Sequence, residues 1–245
     1  STQKGVGYAL EKADVLSSAV LEDLFPIPAY EAKDSVSTMI DAKDLLNRGA
    51  EAPFAVIAET QEGGRGRLGR SFFSPKGGVY FSVVIPGSDI PSPDLLTISA
   101  SLAASRVIER LTGLSTAIKW VNDIYIDGRK VVGILTEGIV NMELGGLDEA
   151  IVGIGVNLSG TSDMIPADLR DRMGFIYQDG HPAVTRAVLA ADITRRLLDI
   201  QGKDFIGRYR ERCFVIGRDV DVLRAGTERC AHAYGLDDDG HLLVR

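Results

Sequence analysis

The stretch from Gly64 to Ile85, GRGRLGRSFFSPKGGVYFSVVI, decides which fold the chain can adopt. Its first six residues, Gly64 to Gly69, satisfy the GxGxxG spacing of dinucleotide-binding folds. In those folds a helix opens directly from the glycines and aims its N-terminus at a pyrophosphate. Here no such helix can follow: Ser71 to Gly78 is rich in Phe, Pro and Gly, and the apolar run Val79 to Ile85 then reads as a strand. With another strand at Phe54 to Glu59, the order is strand, long loop, strand. The loop, Thr60 to Arg70, carries Arg65, Arg67 and Arg70 among glycines whose backbone amides can approach a ligand closely. Three guanidinium groups so close repel one another unless an anion neutralises them, so the segment reads either as a phosphate-binding loop or as a solvated basic one.

Working outward, Leu16, Val20 and Leu24 repeat at helical spacing, and Ser37 or Thr38 can cap a second helix running to Gly49. Ser92, Pro93 and Asp94 start a third, with Leu95, Ile98, Leu102, Val107, Ile108 and Leu111 on one face and Gly113 as its stop. From Ala117 the pattern turns to strands: Ile118 to Trp120, Ile124 to Ile126, a turn at Asp127-Gly128, Lys130 to Thr136, and Ile151 to Asn157. A helix from about Val184 to Ile200 leads into short β-like runs between Asp219 and Arg245. The fold class expected is α+β, a mixed, largely antiparallel sheet packed with helices. Residues 1–212 form the main domain and 213–245 a small C-terminal β module.

Composition narrows the function classes. The 245 residues are 45% hydrophobic and 25% charged, an ordinary globular balance. A net charge of -7 disfavours nucleic acid or anionic membrane as partners. No apolar run is long enough to span a bilayer and no signal region opens the chain, so the expectation is a cytoplasmic protein. Cys213 and Cys230 form no CxxC pair, and His181, His232 and His241 are not at metal-ligand spacing, so neither structural zinc nor a disulfide framework is expected.

Glu59 to Pro75, ETQEGGRGRLGRSFFSP, resembles the GRGRxGR signature of biotin protein ligases. Lys119 to Leu135, KWVNDIYIDGRKVVGIL, resembles that family's KWPND and KxxGIL segments, with Val121 where proline is usual. The resemblance runs from about residue 30 and weakens after about residue 160. It implies the class II synthetase-like catalytic fold of biotin and lipoate ligases with a C-terminal SH3-like module, which normally has one strand more than this sequence offers. The implied form lacks a DNA-binding domain. The implied activity is ATP-dependent conversion of biotin to biotinyl-AMP, with Mg²⁺, and transfer to a lysine of a biotin carboxyl carrier domain. Rival readings are a lipoate or octanoate ligase of the same fold, and a biotinyl-AMP-binding sensor without transfer activity. A homodimer through an exposed sheet edge is a further expectation.

Physical reasoning and resemblance meet at the lysine and the glycine strand. Adenylation drives a carboxylate against an α-phosphate, and two anions approach only where a fixed cation screens both. Lys130, on a strand just past the Asp127-Gly128 turn, is that cation or else a solvated strand lysine. Gly153 and Gly155 share one strand face, leaving a strip without side chains on which a flat ligand can lie, and Gly133 extends it. The resemblance places Ser37, Thr38, Gln61, Gly64 and Arg65 with these glycines and Lys130 around biotin. It places Arg67, Arg70, Lys119, Asn122, Asp123 and Asn157 at the nucleotide, with Phe72 either stacked there or anchoring the loop end. Asn122 and Asp123 offer oxygens to the Mg²⁺ of ATP, or form a simple turn. Lys130, Arg67 and Asp123 are the expected catalytic set, with Asp123 taking the proton of the acceptor lysine.

Overall fold

In a computed structural model of the protein, the residues described are 14–90, 92–140, 146–199, 205–224 and 226–245. Seven strands form one sheet in the order β1-β2-β3-β7-β6-β5-β4. They are β1 (Ala29–Glu31), β2 (Phe54–Ala58), β3 (Val79–Pro86), β4 (Ala117–Lys119), β5 (Asp123–Ile126), β6 (Arg129–Val140) and β7 (Leu147–Val156). Only β1 against β2 is parallel, so the sheet is mixed and largely antiparallel as expected. The short β1 carries too little periodicity to be read from sequence.

Alternation along these strands sorts their side chains onto two faces. Ala55, Ile57, Phe81, Val83, Val132, Ile134, Val152 and Ile154 meet a helical layer of α1 (Ser18–Leu24), α3 (Pro93–Thr112) and α4 (Arg186–Leu198), with Tyr209 of α5 (Phe205–Arg210) in the same core. On the other face Phe54, Val56, Val84 and Ile151 pack against Met39 and Ala42 of a single helix, α2 (Thr38–Asn47). One helix cannot cover seven strands. Beyond the reach of α2 this face carries Gly133 and Gly155, while Gly153 lies under Met39.

The signals for α3 act as read. Ser92 Oγ accepts from Leu95 N, and Gly113 closes the helix at φ 73°, a left-handed conformation that favours glycine. Helix α2 differs: Ser37 stands at its N-cap without a side-chain hydrogen bond to the helix, and the hydroxyl of Thr38 bonds Gln61 and Ser82 instead of capping. The predicted end of α4 at Ile200 lies outside the described residues.

The C-terminal strands β8 (Arg218–Arg224), β9 (Thr227–Leu236) and β10 (Leu242–Val244) form a separate antiparallel sheet. It is fastened to the larger body. Leu236 enters the main core, the carbonyl of Gly240 accepts from Trp120 Nε1 at 3.0 Å, and Arg210 donates to the carbonyls of Leu236 and Asp237. Glycine suits position 240, where φ is 84° in the left-handed region and a Cβ would lie 2.1 Å from Ile98 Cδ1.

Candidate active site

Cross-strand register builds the floor of the site. Gly155 of β7 is the Cα partner of Tyr80 on one side and of Gly133 on the other, and Gly133 in turn pairs with Asp123. The two glycines thus form a bare patch between a tyrosine and a carboxylate. Two residues along, the next row reads Ser82, Gly153, Leu135. Glycine weakens a strand interior, and two of them side by side in a sheet mark a place where something flat must approach the backbone.

In this structure that flat group is Phe72. A Cβ on Gly155 would lie 2.4 Å from Phe72 Cε1, and one on Gly133 would lie 2.6 Å from Cε2, so the ring rests on the pair. It meets Tyr80 edge-on, with centroids 6.4 Å apart, and Lys130 Nζ stands 5.5 Å from its centroid. The cavity among Ser37, Thr38, Gln61, Arg65, Phe72 and the three glycines is consequently only about 20 Å³.

A directed chain of hydrogen bonds runs along one wall. The hydroxyls of Ser82 and Thr38 lie 2.8 Å apart, and Thr38 donates from both N and Oγ1 to Gln61 Oε1. Gln61 Nε2 donates to Ser74 Oγ, which donates to the carbonyl of Phe72. With Thr38 Oγ1 donating to Gln61, the Ser82 hydroxyl must be the donor to Thr38. Ser82 escaped the sequence reading, although a lone serine in the apolar run VYFSVVI was a visible signal.

The arginine loop has internal structure. Phe72 N donates to Gly64 O, Gly66 N to Arg70 O, and Arg65 bridges Ser71, so the loop is a small hairpin with Arg67–Gly69 as a single tight turn. Leu68 at its tip has φ 57° and is 84% exposed, an apolar side chain held out to solvent. Arg65, Arg67, Arg70 and Phe72 line a second cavity of about 290 Å³ together with Lys119, Asn122, Asp123, Lys130 and Gly133. The two cavities share Arg65, Phe72 and Gly133.

Lys130 is held firmly at its base. Its N donates to Arg172 O and its carbonyl accepts from Gly174 N, while its Nζ reaches Asp123 Oδ1 at 2.6 Å. That contact is ionic and lacks hydrogen-bond geometry, leaving Asp123 Oδ1 a buried acceptor without a hydrogen bond. Asn122 is clamped to β6, donating from Nδ2 to Ile134 O and accepting from Ile134 N on its own carbonyl. The neighbouring Val121 carbonyl accepts from Ser101 Oγ and from Tyr209 Oη, whose burial pushes the phenol up so that it stays a donor. These bonds hold the turn that proline usually stiffens. Asn157 lies at the end of β7, buried, with Oδ1 unpartnered, and lines neither cavity. Among the described residues no helix is long and apolar enough to cross a membrane.

A glycine-floored pocket thus lies beside a cavity lined by guanidinium groups, a lysine and a carboxylate, an arrangement with room for a flat group next to an anion. The comparisons with known proteins agree. Residues 31–157, just over half of the chain, match the Biotin/lipoate A/B protein ligase family, and the chain belongs to that family. It is 32% identical over 217 residues to the bifunctional ligase/repressor BirA of Bacillus spizizenii, covering 85% of this chain and 66% of the relative. It thus spans slightly less than two thirds of that protein's length. It is 29% identical to the biotin--[acetyl-CoA-carboxylase] ligase of Paracoccus denitrificans, covering 78% of this chain and 83% of the relative. The fold superposes on the biotin protein ligase of Aquifex aeolicus in complex with biotin and ATP with a TM-score of 0.74 at 26% identity, covering 90% and 92% of the two chains.

Proposed function

We propose that the protein is a biotin protein ligase that forms biotinyl-AMP from biotin and ATP and transfers the biotinyl group to a lysine of a biotin carboxyl carrier domain. The observation that carries this reading is the paired Gly133 and Gly155 floor with Lys130 and Asp123 at its edge, where the acid-side and nucleotide-side cavities meet. In the first step a carboxylate oxygen of biotin attacks the α-phosphorus and pyrophosphate leaves. Lys130 screens the two anions as they approach. Arg65 and Arg67, brought in by the hairpin loop, hold the mixed anhydride and keep water from it. In the second step the acceptor amine attacks the acyl carbon, AMP leaves, and the amine proton must be removed. Asp123 takes it once Lys130 has turned from the carboxylate towards the phosphates. The Oδ1 of Asn122 and the carboxylate of Asp123 are the oxygens that would meet Mg²⁺ carried by ATP, a hard cation that takes oxygen ligands.

The test is mass spectrometry of the protein incubated with MgATP and either biotin or lipoate, repeated with Lys130→Ala. Retained biotinyl-AMP with the intact protein, reduced about 10²- to 10³-fold in formation rate by the substitution, is expected. A lipoyl adenylate instead would assign the same chemistry to a different acid. Adenylate without transfer to a carrier domain would make the protein a sensor.

A further inference from the structure

One cross-strand row joins the glycine floor to a third cavity. Gly155, Gly133, Asp123 and Lys119 are successive Cα partners across β7, β6, β5 and β4, so the row lies on one face of the sheet. Each step along it is about 5 Å. Beyond Lys119 the row does not end at a bare edge. Residues 212–214 pair with the outer side of β4, with Ile118 N donating to Arg212 O at 2.8 Å and Phe214 N to Ile118 O at 3.1 Å. This pairing places Phe214 and Arg218 beside a cavity of about 570 Å³, which Lys119, Tyr125 and Asp127 also line. Lys119 is the one residue that this cavity shares with the nucleotide-side cavity.

The third cavity holds a mounted guanidinium. Arg218 of β8 stands 5.3 Å from the centroid of Phe214, and Phe214 meets Tyr125 edge-on with centroids 5.4 Å apart. Tyr125 is in turn the Cα partner of Lys130. A guanidinium stacked on an aromatic face is pre-organised and loses less freedom on taking an anion. Among the described residues neither Arg218 nor Lys119 is ion-paired, and the two outnumber Asp127, the one carboxylate of the lining. Displacement at phosphorus sets the attacking and leaving oxygens in line. With the acid on Gly133 and Gly155 and the α-phosphorus at Lys130 and Asp123, the leaving group departs along the row, away from the glycines and towards Lys119. The bond from carboxylate oxygen to phosphorus forms as the bond to the bridging oxygen of the β-phosphate breaks, and that electron pair leaves with pyrophosphate.

We propose that Arg218 and Lys119 receive pyrophosphate as it leaves, which makes Arg218 of the C-terminal sheet a binding residue of the adenylation step. The inference rests on the ligase reading, so its test reads binding as well as turnover. The full chain and its Arg218→Gln variant are titrated calorimetrically with pyrophosphate in Mg²⁺ and, separately, with AMP, and biotin-dependent exchange of pyrophosphate into ATP is measured. The substitution is expected to raise the Kd of pyrophosphate, and its KM in exchange, about tenfold or more while the Kd of AMP stays within about twofold. Arg218 is exposed and makes no ion pair, so Tm should stay within about 2 °C of the parent. Phe214→Leu removes the mount and keeps the charge, and should weaken pyrophosphate by about threefold. An unmoved pyrophosphate Kd in Arg218→Gln, or an equal loss for AMP, would overturn the proposal. So would a raised KM for the carrier domain with pyrophosphate unaffected, which would give the cavity to an acidic segment of the acceptor. A parent that binds pyrophosphate through Arg218 yet exchanges none in the presence of biotin would leave this site standing and refute the ligase reading alone.

Discussion

Substituting Gly155 by alanine tests whether the paired glycines are a ligand floor or only a bed for Phe72. The new Cβ would stand 2.4 Å from Phe72 Cε1, about 1 Å inside ordinary contact for carbon, so the ring must lift. Overpacking of this kind costs about 1–3 kcal/mol, and at roughly 2–4 °C of Tm per kcal/mol for a chain of this size the protein without ligand should melt about 2–12 °C lower. A flat ligand on the same floor meets the same methyl group, and the same energy lost from binding is about 5- to 150-fold in Kd for biotin. The two effects separate in a double-mutant cycle with Phe72→Ala, read by calorimetric titration and thermal unfolding. Removing the ring should erase the Tm penalty of Gly155→Ala. The affinity penalty should remain when Gly155→Ala/Phe72→Ala is compared with Phe72→Ala alone. The reasoning is refuted if biotin affinity in that comparison changes by less than about threefold, below the range just derived.

Two further outcomes follow from the polar contacts. Thr38→Val keeps the shape of the α2 start but breaks the chain from Ser82 to Gln61. It leaves a buried serine hydroxyl without its acceptor, so stability should fall by about 1–3 kcal/mol in urea unfolding and biotin affinity should fall with it. Glu109 supplies a pH signature. Its burial acts against ionisation, yet hydrogen bonds from Arg212 and Thr116 hold its pKa below the ordinary 4.5. Its contribution to stability is therefore fully present above 4.5 and lost as pH falls through the lower folded value. Glu109→Gln should accordingly destabilise at pH 7 and cost progressively less below pH 4.5, in urea melts across that window.

How much of this was legible in the sequence depends on the range of the signal. Helix α3 could be read because Ser92, Gly113 and the apolar stripe between them are local. The rejection of a dinucleotide fold could be read because Phe, Pro and Gly after Gly69 forbid a helix there. Gly153 and Gly155 could be placed on one face by strand alternation, and Gly133 was grouped with them. That Gly133 and Gly155 sit directly opposite each other is a matter of strand register, which sequence spacing does not encode. The Ser82 partner of Thr38 was out of reach for a related reason. A Ser-Thr pair before a helix signals capping, but the Thr38 hydroxyl turns to Ser82, 44 residues away in sequence. Nothing local says that Phe72 would lie on the glycines, because the loop's return path is set by its hairpin bonds.

The bond from Trp120 to the Gly240 carbonyl ties the turn of the small C-terminal sheet to the residue just before Val121, Asn122 and Asp123. Any opening of that sheet which pulls Gly240 away releases the indole and slackens the backbone on which the Asn122 carboxamide and the Asp123 carboxylate are mounted. The amides of β9 and of the Trp120 turn should then exchange with solvent at a common rate, as parts of one cooperative unit. If the protein acts as proposed, a carrier domain that nudges the C-terminal turn on docking would have a mechanical line to the turn that carries Asn122 and Asp123, drawn through one indole nitrogen.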